Sequence, residues 1–174
     1  LAGDPCAISG GSATLDNVDN WQILNNELFD AVGHGGLYSA AISIKNAVGA
    51  SPRTLTIAQN YIHDNITGGI ATSDIDTGRY AISNNTITGN AVALSPRMGV
   101  RMGTTGVSQV FDNVIKNNQG PGLWITGAGR NINAGRNIYG GNTGNAVDLS
   151  ASTSADGVTL NNTSCLNQNG ASSG

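Results

Sequence analysis

Ile57-Ala58-Gln59-Asn60-Tyr61-Ile62 is followed by Ile82-Ser83-Asn84-Asn85-Thr86-Ile87 and then by Val110-Phe111-Asp112-Asn113-Val114-Ile115. Each segment reads apolar, two variable residues, asparagine, one variable residue, apolar. The pattern extends outward to segments beginning at Ile23, Ala134 and Leu160, so six copies start 34, 25, 28, 24 and 26 residues apart. Asn26, Asn60, Asn85, Asn113 and Asn137 hold the fourth place, with Thr163 there in the last copy. Spacing within the motif never changes, so insertions fall between copies.

A second series, Ile8, Ile42, Ile70, Val100, Leu123 and Val147, precedes the copies, and another apolar residue usually follows two positions later (Ile44, Met102, Ile125, Leu149). Alternation with period two predicts strands. No stretch of helical period is long enough to compete. Each repeat therefore reads as three short strands whose inner face cannot be buried alone, so copies must stack around one shared core. The expected fold is all-β, a solenoid of about six three-strand coils in a single domain over residues 1–174, with coils beginning near residues 6, 40, 68, 98, 121 and 145 and a tail over 166–174. At an interval of about 4.8 Å per strand, six coils make a rod on the order of 29 Å long. Asparagines stacked at that interval can hydrogen-bond as a ladder, and asparagine tolerates the left-handed backbone of a tight corner.

These corner asparagines and strand triplets resemble the right-handed parallel β-helix of pectate-lyase-like proteins, over residues 6–169. The resemblance implies a ladder at the corner between second and third strands. It does not single out a function, because the family includes polysaccharide lyases, polygalacturonases, epimerases, phage tail-spikes and adhesins. It also implies that a sugar groove would run along the outer face of the first strands. The outward positions there are Ser9, Ser43, Lys45, Ala71, Ser73, Arg101, Trp124 and Asp148. Arg101, Trp124 and Asp148 fall in successive coils, so an indole between a cation and a carboxylate forms a candidate ligand-binding row. The competing reading makes Arg101 a cation-π cover for Trp124, or the row a contact between subunits.

Catalytic chemistry finds little support. Glycoside hydrolysis needs two carboxylates about 5 to 9.5 Å apart, and the row supplies one. Asp74 and Asp76 lie three coils below Asp148 and read as a polar turn. Gly33-His34-Gly35 resembles the short histidine motif of polygalacturonases, but their accompanying Asn-Thr-Asp and Asp-Asp motifs do not occur, so His34 is not read as catalytic. His63, after Ile62 in a third strand, reads as outward and solvated. No cofactor is implied, and no metal-ligand spacing or convergent carboxylate cluster is evident. Four sequon matches, at Asn65, Asn84, Asn161 and Asn162, arise readily in an Asn- and Thr-rich repeat. The longest insertion, Phe29 to Ala41, and the next, Val92 to Gly99, are the natural places for function the repeat does not explain.

The composition agrees with a stacked repeat. Charged residues make up 11% of the chain, and it contains 25 glycines and 22 asparagines. A net charge of -3 with scattered cations argues against a nucleic-acid partner, and no apolar run is long enough to form a membrane span. The start at Leu1 fits either a processed secreted protein or a trimmed segment, and the expected setting is extracellular or cell-surface. Near-whole coils without capping helices fit either a piece of a longer β-helix or a subunit stacking head to tail on copies of itself into a filament. Cys6 and Cys165 lie in the first and last coils, so an intrachain bridge requires the N-terminal segment or the tail to fold back. They could form an intersubunit disulfide, or Cys165 could continue the inward series after Tyr139 as a buried thiol. The leading expectation is a structural filament subunit, and the alternative is a carbohydrate-binding or polysaccharide-processing module.

Overall fold

The computed structural model describes residues 8–10, 20–32, 39–44, 54–72, 78–91, 97–103, 106–126, 131–150, 158–165 and 172–173. The first coil contributes β1 (Ile8–Gly10), β2 (Trp21–Leu24) and β3 (Glu27–Leu28), and the second β4 (Ala40–Ile44), β5 (Thr54–Ala58) and β6 (Tyr61–His63). The third is β7 (Gly68–Thr72), β8 (Arg79–Ser83) and β9 (Thr86–Thr88), and the fourth β10 (Val100–Met102), β11 (Ser108–Phe111) and β12 (Val114–Lys116). Next come β13 (Leu123–Ile125) with β14 (Ile132–Gly140), β15 (Val147–Asp148) with β16 (Thr159–Cys165), and β17 (Ser172–Ser173). In β14 and β16 the second and third strands run into one.

All first strands form one parallel sheet in the order β1-β4-β7-β10-β13-β15-β17, and the others join a second parallel sheet. The first-strand series aligns as read, since Ile8 pairs with Ile42, Ile42 with Ile70, Ile70 with Val100, Val100 with Leu123 and Leu123 with Val147. The turn count departs slightly from expectation. Ser172 and Ser173, assigned to the tail, pair with Val147 and Asp148 and add a further first strand.

The core is a set of aliphatic stacks. Ile42, Ile70, Val100 and Leu123 face Ile57, Ile82 and Val110 and the third-strand residues Ile62, Ile87, Ile115 and Tyr139, all buried in one cluster. Glycine is required where the third-strand side chains come closest to the next first strand. A Cβ on Gly99 would lie 2.6 Å from Ile115 Cγ2, and one on Gly122 would lie 2.5 Å from Tyr139 Cδ1.

The predicted asparagine ladder is present. Nδ2 of Asn26, Asn60, Asn85 and Asn113 donates to Oδ1 of the next rung at 3.1, 3.0, 2.9 and 2.9 Å. The same Oδ1 atoms also accept the backbone N–H of the preceding rung, at 3.0 Å each. The second Nδ2 hydrogen reaches back one coil, to the carbonyls of Ile23, Ile57 and Ile82 for Asn60, Asn85 and Asn113. Each buried amide thus ties three coils together and satisfies backbone groups that a tight corner would otherwise orphan.

The sixth rung is Asn162, not Thr163, since Asn137 Nδ2 donates to Asn162 Oδ1 at 2.8 Å. The last copy is one residue shorter at its corner, and the β14–β16 register shifts between Gly135 and Ile138. Arg136, left-handed at φ 53, is the extra residue. That shift pairs Tyr139 with Ser164 and Gly140 with Cys165 in the backbone register. Cys6 lies outside the described residues, and with it the disulfide reading.

A second ladder runs five residues beyond the first. Asn65, Asn90 and Asn118 donate from Nδ2 to the next rung at 2.7, 3.0 and 3.1 Å, ending on Asn142, and all four are fully buried. Below them Ala31 offers only its backbone N–H, which donates to Asn65 Oδ1 at 2.9 Å. Both ladders are preceded by left-handed residues: Asn25, Gln59, Asn84, Asp112 and Arg136 at one corner, and Asp30, Asp64, Gly89, Asn117 and Gly141 at the other.

Asn113→Ala should lower unfolding free energy by about 3 kcal/mol, because several buried backbone and amide groups lose their partners together. Tyr139→Phe should leave stability unchanged or raise it, since the buried Tyr139 hydroxyl has no hydrogen-bond partner among the described residues and burial pushes its pKa up. Urea denaturation of both variants checks the contrast, and equal losses would contradict it.

Candidate functional site

The first-strand row forms in register, with Arg101 opposite Trp124 and Trp124 opposite Asp148. Its surface differs from the open groove expected. Arg101 is 1% exposed, Nη1 donates to the Thr72 carbonyl at 2.8 Å, and the guanidinium carbon lies 5.6 Å from the centre of the Trp124 ring. Trp124 packs against Ala40, Ala71 and Met98. Asp148 turns to its own loop, where Oδ1 accepts the Ser150 N–H at 2.9 Å and the Ser150 hydroxyl at 2.6 Å. The cation therefore lies beneath the surface, over the indole ring. His34, Lys45, Ser73, Asp74, Asp76 and residues 33–38 and 92–96 of the two long insertions lie outside the described residues.

The third-strand face carries a cluster that sequence reading passed over. Glu27 pairs with Tyr61 and Leu28 with Ile62, which sets Phe29 beside His63 in the adjacent coil. The inward partners Leu28 and Ile62 anchor the strands in the core, so their neighbours must point outward. Phe29 is 53% and Tyr61 43% exposed. The His63 ring stacks on Phe29 with centroids 5.5 Å apart and planes 18° apart, and on Tyr61 at 4.1 Å and 23°. His63 is not the solvated side chain expected from sequence. It is 15% exposed, with Nδ1 2.8 Å from Asp64 Oδ2 and Nε2 3.2 Å from Glu27 Oε1.

Those carboxylates set the electrostatics of the ring. Hydrogen bonding to Asp64 raises the His63 pKa, burial opposes it, and Glu27 adds to the rise. Both ring nitrogens face acceptors, so both need a hydrogen, and the imidazolium is the form that fits. Rings stacked on the cation add cation-π attraction. Carboxylates beside the rings and in the corner after them leave acceptor capacity at the rim, with Asp64 and Glu27 side chains 73% and 60% exposed.

A second surface cluster sits at the β14 irregularity. Arg136 forms a bidentate pair with Asp112, both contacts at 2.7 Å, and lies 5.1 Å over the Phe111 ring. Arg136 holds the Asp112 carboxyl below its ordinary range. The contact bridges two corner residues and leaves no open ring face comparable to Phe29 or Tyr61. A shallow recess of about 290 Å³ lies on the second-strand face between Thr54, Arg79, Ala81 and Gln109.

Of the sequon asparagines, Asn65 is fully buried in the second ladder, whereas Asn84 is exposed. Among the described residues no group of three His, Cys, Asp or Glu side chains could hold a metal ion, and no helix is long and apolar enough to cross a membrane.

A family model described as a right handed beta helix region matches residues 6–165. No curated protein and no solved structure matches the chain.

The His63 contribution to stability has a definite sign. Its folded pKa is raised, so the contribution is fully present below the ordinary histidine value of about 6.5 and is lost as pH rises through the folded value. The urea midpoint should therefore fall between about pH 5.5 and about pH 8.5, and fall less in Glu27→Gln. An identical fall in both proteins would remove Glu27 from the linkage.

Proposed function

We propose, for a chain that belongs to the right-handed β-helix family, a carbohydrate-binding role exercised on its third-strand face in an extracellular setting. The observation that carries this reading is the stacked Phe29–His63–Tyr61 group, with two rings left open to solvent and carboxylates at their edge. The C–H face of a sugar ring packs on exposed aromatic faces, while its hydroxyls donate to carboxylate oxygens. Flat rings on a stacked scaffold hold their spacing without a loop having to order, which limits the entropy lost on binding. The Arg101–Trp124–Asp148 row remains the competing location, but burial of Arg101 leaves it less surface to offer.

A second reading, a structural subunit stacking on copies of itself, has its own support. Asn26, Asn60, Asn85, Asn113 and Asn137 in one ladder, and Asn65, Asn90 and Asn118 in the other, each donate toward the following coil. Two copies stacked in line would therefore present donors to acceptors, the arrangement a heterologous filament contact needs.

In a glycan array, Tyr61→Ala should remove binding and Trp124→Ala should leave it within about threefold of wild type. The reverse dependence would move the site back to the first-strand sheet. Electron microscopy separates the stacking reading: it requires filaments with an axial repeat on the order of 29 Å, and a monomer at all concentrations would remove it.

A further inference from the structure

The aromatic group contains one cation and an excess of carboxylates. Around His63 stand Glu27 on β3, Asp64 in the corner after β6, and the Tyr61 phenol on its own strand. On its other side β9 presents Thr88, and Lys116 lies one strand further, on β12. Asp30 occupies the corner after Phe29, in the same left-handed conformation as Asp64. Among the described residues the histidine ring is therefore the only cation on the strands flanking the two open rings, and its charge is already taken up by two carboxylates.

Resting on the carbohydrate reading above, we infer that this platform takes an uncharged sugar ring, and takes it in the form in which His63 carries a hydrogen on both ring nitrogens. Two observations support the class of ligand. Glu27 and Asp64 contact the central His63 ring and Asp30 directly follows Phe29, so negative charge stands beside the rings and repels a uronate or a sulfated sugar. The oxygens that His63 does not occupy can accept from hydroxyl donors. The dependence on protonation follows from the two tethers. Nδ1 faces Asp64 at 2.8 Å and Nε2 faces Glu27 at 3.2 Å. A neutral imidazole has one N–H, so removing the proton turns one of these contacts into a lone pair opposed to a carboxylate. The ring then has reason to turn, and Phe29 and Tyr61 lose the partner that aligns them across two coils. No bond is made or broken beyond that proton transfer to solvent.

The test is a glycan array containing neutral, uronate and sulfated oligosaccharides, probed with the full chain at about pH 5.5 and about pH 8.5. Tyr61-dependent binding should be confined to neutral glycans and weaken by about tenfold or more at the higher pH. In His63→Phe, which keeps a ring in the stack without its two tethers, binding at the lower pH should fall toward the level the wild type shows at the higher pH, and the pH response should be lost. The titration of the His63 ring protons by NMR should share its midpoint with the loss of binding. Tyr61-dependent binding to uronates or sulfated sugars overturns the ligand class, as does preference for amine-bearing sugars. Tyr61-dependent binding that is flat with pH, or an unchanged response in His63→Phe, overturns the protonation requirement while leaving the carbohydrate reading standing. Binding that never depends on Tyr61 removes both.

Discussion

The interval of about 4.8 Å between hydrogen-bonded strands governs this molecule. Along the strands, backbone groups of one coil meet those of the next directly. At the corners the chain turns and the direct match fails, so N–H and C=O groups would be left buried and unpaired. An asparagine amide repairs this because it carries two donors and an acceptor on a short stem. Asn85 illustrates the fit: it accepts from Asn60, donates to Asn113 and donates back to the Ile57 carbonyl. Repeated at two corners, the device makes each coil depend on both neighbours. A hydrocarbon of the same volume could fill the space but would leave those backbone groups without partners.

The same interval accounts for the surface. Residues in register stack in rows whether or not their chemistry suits it, and the rows on the outer face become either covers or platforms. Arg101 and Trp124 became a cover, with the guanidinium lying on the indole and donating to the Thr72 carbonyl. Phe29, His63 and Tyr61 became a platform, because the imidazole between two carboxylates holds the rings in line while leaving Phe29 and Tyr61 exposed. Similar ingredients, an aromatic and a cation with carboxylates nearby, thus gave opposite outcomes on two sheets.

Much of the fold was legible in the residue pattern. The first-strand series and the rungs Asn26 through Asn137 stand where their spacing implied. The second ladder was legible too, five residues after the first in Asn65, Asn90, Asn118 and Asn142, each three residues after an apolar position but without a constant apolar residue two places later. The pairs Asn25-Asn26, Asn84-Asn85 and Asn117-Asn118 carried a further signal, since each joins a left-handed corner residue to a rung or its counterpart. In the last copy the motif holds only up to the corner: Leu160 pairs with Ala134 as its spacing implied, but Asn162 makes the ladder bond and Ser164, not Cys165, pairs with Tyr139.

What the sequence by itself determined is the stack: period-two alternation, a constant motif spacing and corner asparagines leave a parallel solenoid as the arrangement that buries every inner face and pairs every buried amide. What only the tertiary structure decided is which outward residues remain accessible and which neighbours they meet. Outwardness follows from strand parity, a local property. Exposure and pairing depend on where side chains from adjacent coils come to rest. Arg101 and His63 were both outward by parity, yet one is buried against an indole and the other is held by Glu27 from the coil before. No local pattern encodes a contact between residues 36 positions apart until the stack has set their register.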